Sequence, residues 1–117
     1  MTLENLINDG YEIKNAKITE VELSMTDHGC LVMYLTLDGG GWGCCFDGFL
    51  GCESFKGSEK GTEYIMRTMD TVGVEKYSDL VGSYVRVAEK DFSIQIIGNI
   101  IEDKWFSPKD FFSEGER

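Results

Sequence analysis

From Glu12 to Met25 apolar and polar residues alternate: Lys17, Thr19, Val21, Leu23 and Met25 fall on one side of an extended chain, Ile18, Glu20 and Glu22 on the other. A period of two predicts a β-strand. The stretch Cys30 to Leu37 is the strongest strand signal, with Leu31, Met33, Leu35 and Leu37 pointing one way and Val32, Tyr34 and Thr36 the other. Apolar residues on both sides predict a strand inside a sheet. Asp27-His28-Gly29 lies between the two runs and has turn chemistry, because Asp bonds the backbone ahead of it and Gly accepts a positive φ. Asp38-Gly39-Gly40-Gly41 turns the chain again, and Trp42 to Phe49 returns as a third antiparallel strand.

Helical spacing replaces alternation in Thr62 to Val72, where Ile65, Met69 and Val72 share a face with Thr62 and Met66, and Gly73 is a natural stop. A shorter N-terminal helix over residues 2–7 is capped by Thr2 and closed by Asn8-Asp9-Gly10. Glycines 51, 57 and 61, with Ser54 and Ser58, mark a loop, and Ser78 to Gly82 a turn or single helical turn. Tyr84–Ala88 and Ser93–Ile101 read as a hairpin around Glu89-Lys90-Asp91-Phe92, with Ile94, Ile96 and Ile100 on one face and Ile97 and Ile101 on the other. Ser107-Pro108 opens a last short helix over Lys109 to Phe112, and residues 113–117 form a frayed tail. Three strands, a helix and two strands predict a single α+β domain over residues 1–117. In it, an antiparallel sheet of about five strands (β-β-β-α-β-β) carries one main helix on a face.

Charge narrows the partners. The chain of 117 residues has 21 acids against 11 bases, a net charge of −10. Phosphates would repel it, so direct nucleic-acid binding is disfavoured and a basic partner is favoured. The opening MTLENLINDG has acids and no basic n-region, so no signal peptide is expected. No uncharged apolar run approaches the roughly 18 residues of a membrane span. These features predict a soluble, cytoplasmic protein. Cys30, Cys44, Cys45 and Cys52 are then expected as free thiols, with Cys44 and Cys45 on opposite faces of a strand.

Candidate chemistry is sparse. His28 is the only histidine, and its neighbour Asp27 does not share its side-chain direction in the way a catalytic pair needs. A zinc site from His28 and the cysteines lacks any C-x₂₋₄-C pair. The triple glycine lacks the lysine and Ser/Thr of a P-loop and joins strand to strand. No catalytic residue, metal or cofactor is assigned. The aromatics Trp42, Phe46, Phe49, Phe55, Trp105, Phe106, Phe111 and Phe112 are many for this length. One of each C-terminal pair is expected to pack under the sheet, leaving the rest for an interface.

Several segments together resemble a family of small, uncharacterised phage and prophage proteins: the strand Ile13-Lys14-Asn15-Ala16-Lys17-Ile18, the Asp27-His28-Gly29 turn, a hydrophobic strand ending in glycines, a helix followed by Val72-Gly73-Val74, and a late strand ending Asp103-Lys104-Trp105-Phe106. The likeness covers about residues 13–107. It departs where the family pattern has Gly-Phe-Gly-Gly and an aromatic, since this chain has Cys44-Cys45-Phe46-Asp47-Gly48-Phe49. The resemblance implies a mobile-element origin inside a host cell and an anti-defence role, such as an anti-CRISPR.

With the charge, this gives the expected function: a non-catalytic inhibitor of a host defence nuclease or effector complex, blocking its basic nucleic-acid groove. The expected partner-binding set is Asp27, His28, Asp38, Trp42, Phe46, Asp47, Phe49 and Glu53, carboxylates facing Lys/Arg while Trp42 and Phe46 anchor the contact. The alternative is a small-ligand or nucleotide-signal binder, with the glycine turn and aromatics stacking a base and Arg67 or Arg86 meeting phosphate. Self-association as a homodimer stays open.

Overall fold

A computed structural model describes residues 1–26, 28–52 and 54–113, with Phe49 and Cys52 described by backbone alone. The chain forms α1 (Leu3–Asn8), β1 (Glu12–Met25), β2 (Leu31–Asp38), β3 (Gly43–Phe49), a small hairpin of β4 (Gly51–Cys52) and β5 (Lys56–Gly57), α2 (Glu59–Val72), a 3-10 turn (Tyr77–Leu80), β6 (Tyr84–Lys90), β7 (Ser93–Asn99), β8 (Trp105–Phe106) and α3 (Pro108–Ser113). The main sheet has six strands in the order β3-β2-β1-β6-β7-β8, every pair antiparallel. It curls until β3 comes beside β7. The expected α+β class with one main helix is therefore what the chain adopts. To the expected strands it adds β8, which lengthens the sheet to six, and the separate β4–β5 hairpin.

β1 explains the curl. Its first part pairs with β6, from Glu12↔Glu89 to Lys17↔Tyr84, and its second with β2, from Lys17↔Asp38 to Met25↔Leu31. Fourteen residues at about 3.3 Å each would span roughly 43 Å if straight, more than the molecule's longest dimension of 40 Å. The partner exchange falls at a β-bulge between Ile18 and Glu20, which leaves Thr19 as the extra residue. A bulge bends and twists its strand. It also corrects the simple alternation: Ile18 pairs with Leu37 and Val21 with Leu35, so Ile18 and Val21 pack in the same core rather than on opposite faces. A second bulge, at Ala88/Glu89 opposite Ile96 and Ile94, puts Ile94 with Ile97 in the main core and Ile96 on the other face. The grouping of Ile94 with Ile96 is thereby overturned.

The main core lies between the inner face of the sheet and α2 and joins Ile18, Leu35, Leu37, Val85, Val87 and Ile97 to Tyr64, Val72, Phe106 and Phe111. α2 begins three residues before the expected start, because the Ser58 side chain accepts from Gly61 N at 3.0 Å and caps it. It ends where expected, at Gly73 with φ 94°. Its buried face is Gly61, Tyr64, Thr68, Thr71 and Val72; Thr62 and Met66 point to solvent instead. The helix sits so close to β3–β4 that a Cβ on Gly61 would overlap the Leu50 carbonyl. The Tyr64 ring lies against Gly48 and 5.2 Å from Phe106, edge on. On the outer face, α1 buries Leu6 against Ala88 and Ile96, with Tyr11, Ile13 and Trp105 around it.

Candidate binding surface

Outer-face positions of β1, β2 and β3 form rows across the sheet. Glu20 stands beside Thr36 and Cys45, and Glu22 beside Tyr34 and Asp47. Glu20, Glu22, Cys45 and Asp47 are exposed, and Tyr34 and Thr36 half-buried. The two acids of the second row flank Tyr34 at about 10 Å, two strand spacings. At that separation salt screens their repulsion, so the sheet tolerates the charge. Glu22 also accepts from Ser24 Oγ at 2.9 Å. Asp38 lies at the end of β2, exposed, and its carboxylate accepts from Gly40 N at 2.9 Å, which stiffens the glycine turn.

The chain has no Lys or Arg anywhere from Ile18 to Phe55, while that span holds Glu20, Glu22, Asp27, Asp38, Asp47 and Glu53. Folding places the described part of this span in the second half of β1 and in β2, β3 and β4, with Lys14 and Lys17 in the first half of β1 and Lys56 in β5 at its borders. Lys17 borders it, 5.8 Å from the Tyr84 ring. Arg86 lies over Trp105 at 4.8 Å and donates to the carbonyls of Asn99 and Glu102, both at 2.8 Å. The base-free span is visible in the sequence; its gathering into one face requires the register. Glu20 and Glu22 are the acids that sequence reasoning did not place in the site.

The expected site residues divide. Asp38 and Asp47 are exposed on or beside the acidic face. His28 is an exposed turn residue whose carbonyl accepts from Ser54 N at 2.9 Å. Phe46, 4 % exposed, belongs to the core, which corrects its role as an anchor: the Leu35↔Phe46 pairing turns it inward. Trp42 is half-buried, packs against the same core and covers Gly39, with Lys14 Nζ 5.4 Å from its ring. Asp27 and Glu53 lie outside the described residues, as does the Phe49 side chain.

At the mouth of the curled sheet, Lys14 and Glu89 form an ion pair at 3.1 Å beside Trp42. The bond to Glu89 raises the Lys14 pKa. Desolvation, then the neighbouring Cys45 and Glu89, push the Cys44 thiol up, the opposite of what a nucleophile needs. Cys44 packs inward and Cys45 is exposed, as strand alternation predicts. Burial, and then Asp47, raise the Tyr64 phenol above its ordinary value. Among the described residues no three His, Cys, Asp or Glu side chains gather as a metal would require, and no helix is long and apolar enough to cross a membrane. Arg67 pairs with Glu63 at 2.9 Å on α2 and lies over Phe111. Arg86 is held by the carbonyls of Asn99 and Glu102.

Comparison of the chain with protein-family models, with curated proteins and with solved structures returns no match.

Proposed function

We propose that this protein is a non-catalytic binding protein whose outer β1–β3 face engages a basic groove of the kind that holds nucleic acid in a host defence effector. The observation that supports it is the span from Ile18 to Phe55 without Lys or Arg, which leaves Glu20, Glu22 and Asp47 exposed on one face, Glu22 and Asp47 flanking Tyr34, with Lys109 sharing a pocket with Asp47 at the β3 edge. Such a face attracts Lys and Arg from a distance and sets orientation more than affinity. Tyr34 supplies amphipathic contact area between the carboxylates, the part first assigned to Trp42 and Phe46. The phage resemblance supports the choice of a defence nuclease as partner.

The test is capture from host lysate with the immobilised protein and with a Glu20→Gln/Glu22→Gln/Asp47→Asn variant. The proposal expects basic nucleic-acid-binding proteins on the wild type, released by salt and by competing DNA, and lost on the variant. Equal retention by both would refute it.

A further inference from the structure

Beyond Glu20, β1 outruns the core, while its β2 partners Met33 and Val32 stay buried. Val21 is half-buried, whereas Leu23 and Met25, on the same inner face, are 47 % and 50 % exposed. Against this face stands the β4–β5 hairpin, and between them lies a groove of about 220 Å³ lined by Met25, Gly29, Leu31, Gly51, Phe55, Lys56 and Gly57. Phe55 is 80 % exposed. It is held in a left-handed conformation, φ 62°, which L-residues other than Asn and Asp rarely adopt. Its N–H donates to the Gly29 carbonyl at 3.1 Å, and its ring packs on Gly29, 3.1 Å from where a Cβ there would be. An aromatic held in place by main-chain bonds, yet left in solvent, is a pre-organised anchor.

Small-ligand pockets run from about 300 to 1,000 Å³; this groove is smaller and fits one large side chain. Charge selects its bearer. The opposite face of the same hairpin carries Glu20 and Glu22, the molecule is at −10, and among the described residues lining the groove the one cation is Lys56 at one wall. We infer that the groove takes a large apolar side chain from a partner segment flanked by Lys or Arg, so that the hairpin is gripped on its acidic side by charge and on its inner side by apolar burial. This rests on the acidic-face reading and names the contact that would anchor it. A second copy of this chain fits less well, because each copy brings its own −10.

The probes are three capped hexapeptides followed by fluorescence polarisation: Lys-Arg-Leu-Phe-Arg-Lys, Lys-Arg-Ser-Ser-Arg-Lys and Glu-Asp-Leu-Phe-Asp-Glu. The basic Leu-Phe peptide is expected to bind at least tenfold more tightly than either other. Phe55→Asn, a residue that accepts positive φ, should abolish its advantage over the basic Ser-Ser peptide. Glu20→Gln/Glu22→Gln should weaken both basic peptides alike. Equal binding of the two basic peptides, or a Leu-Phe advantage that survives Phe55→Asn, overturns the groove and leaves the acidic face standing. Equal binding of the basic and acidic Leu-Phe peptides overturns the charge reading on which the proposal rests. Concentration-dependent dimerisation lost in Phe55→Asn assigns the groove to a second copy and also overturns it.

Discussion

Gly61→Ala separates local preference from tertiary fit. In an isolated helix, alanine is favoured over glycine by about 1 kcal/mol. Gly61 lies in the first turn of α2 and is buried. The nearest neighbours of an added Cβ are the oxygen, carbon and Cα of Leu50, all main chain. No rotamer change relieves such a clash, so the helix must move off β3 and β4. Overpacking costs about 1–3 kcal/mol, and the upper end applies where backbone is the obstacle. After the helix preference is subtracted, a net loss of about 2 kcal/mol remains. With a urea m-value of about 2 kcal/mol/M, the unfolding midpoint should fall by about 1 M. The assay is urea denaturation followed by circular dichroism, with Met66→Ala, on the exposed side of α2, as the neutral control. A Gly61→Ala midpoint equal to or above wild type, at unchanged m, would refute the close approach of α2 to Leu50.

Three further outcomes are expected. Asn99 is buried; its amide donates to the carbonyls of Thr71 and Val72 at 3.0 and 3.2 Å, and its oxygen accepts from the N–H groups of Ile101 and Glu102 at 2.9 and 2.8 Å. At about 0.5–1.5 kcal/mol per bond, Asn99→Ala should cost about 2–4 kcal/mol by denaturant titration; a loss below 1 kcal/mol would contradict this role. Iodoacetamide at neutral pH should label Cys45 well before Cys44, whose thiol is raised by burial; mass spectrometry of digests reads the order, and the reverse order would count against the inward packing of Cys44. Asp103 accepts from the Trp105 indole and from Leu3 N, bonds that hold its pKa below the ordinary value. Its folded-state pKa is depressed, so the stability it contributes is present above about pH 4 and is lost as pH falls through the folded value. In a Trp42→Phe background, Trp105 fluorescence should shift red over that acid range, and Asp103→Asn should remove the step; a step unchanged in Asp103→Asn would show that another group drives it.

The strands were legible because alternation depends only on sequence spacing. Glu12–Met25 has the bounds that its pattern predicts, and Gly73 and Ser107-Pro108 mark helix ends as read. The faces were less legible. A single inserted residue at Thr19, and another in β7, reverses every later side chain, and only pairing reveals it. On α2, Ile65, Met69 and Val72 pack on the core as their spacing predicts, but its buried residues also include Gly61, Tyr64 and Thr68, which a hydrophobic pattern does not select. Strands β4, β5 and β8 have two residues each, too short for any periodicity. Part of the acidic site was visible through Asp38 and Asp47. Glu20 and Glu22 join it only because the bulge and the β1–β2–β3 register place them beside Thr36 and Tyr34.

The most direct measurement takes a DNA-binding nuclease captured by the wild-type protein and asks whether the two ligands exclude one another. Fluorescently labelled DNA is bound to the nuclease and the protein is titrated in at 50 and 200 mM salt. Full displacement of DNA, weaker at the higher salt and lost in Glu20→Gln/Glu22→Gln/Asp47→Asn, is the predicted result. A stable ternary complex of nuclease, DNA and protein would contradict the account.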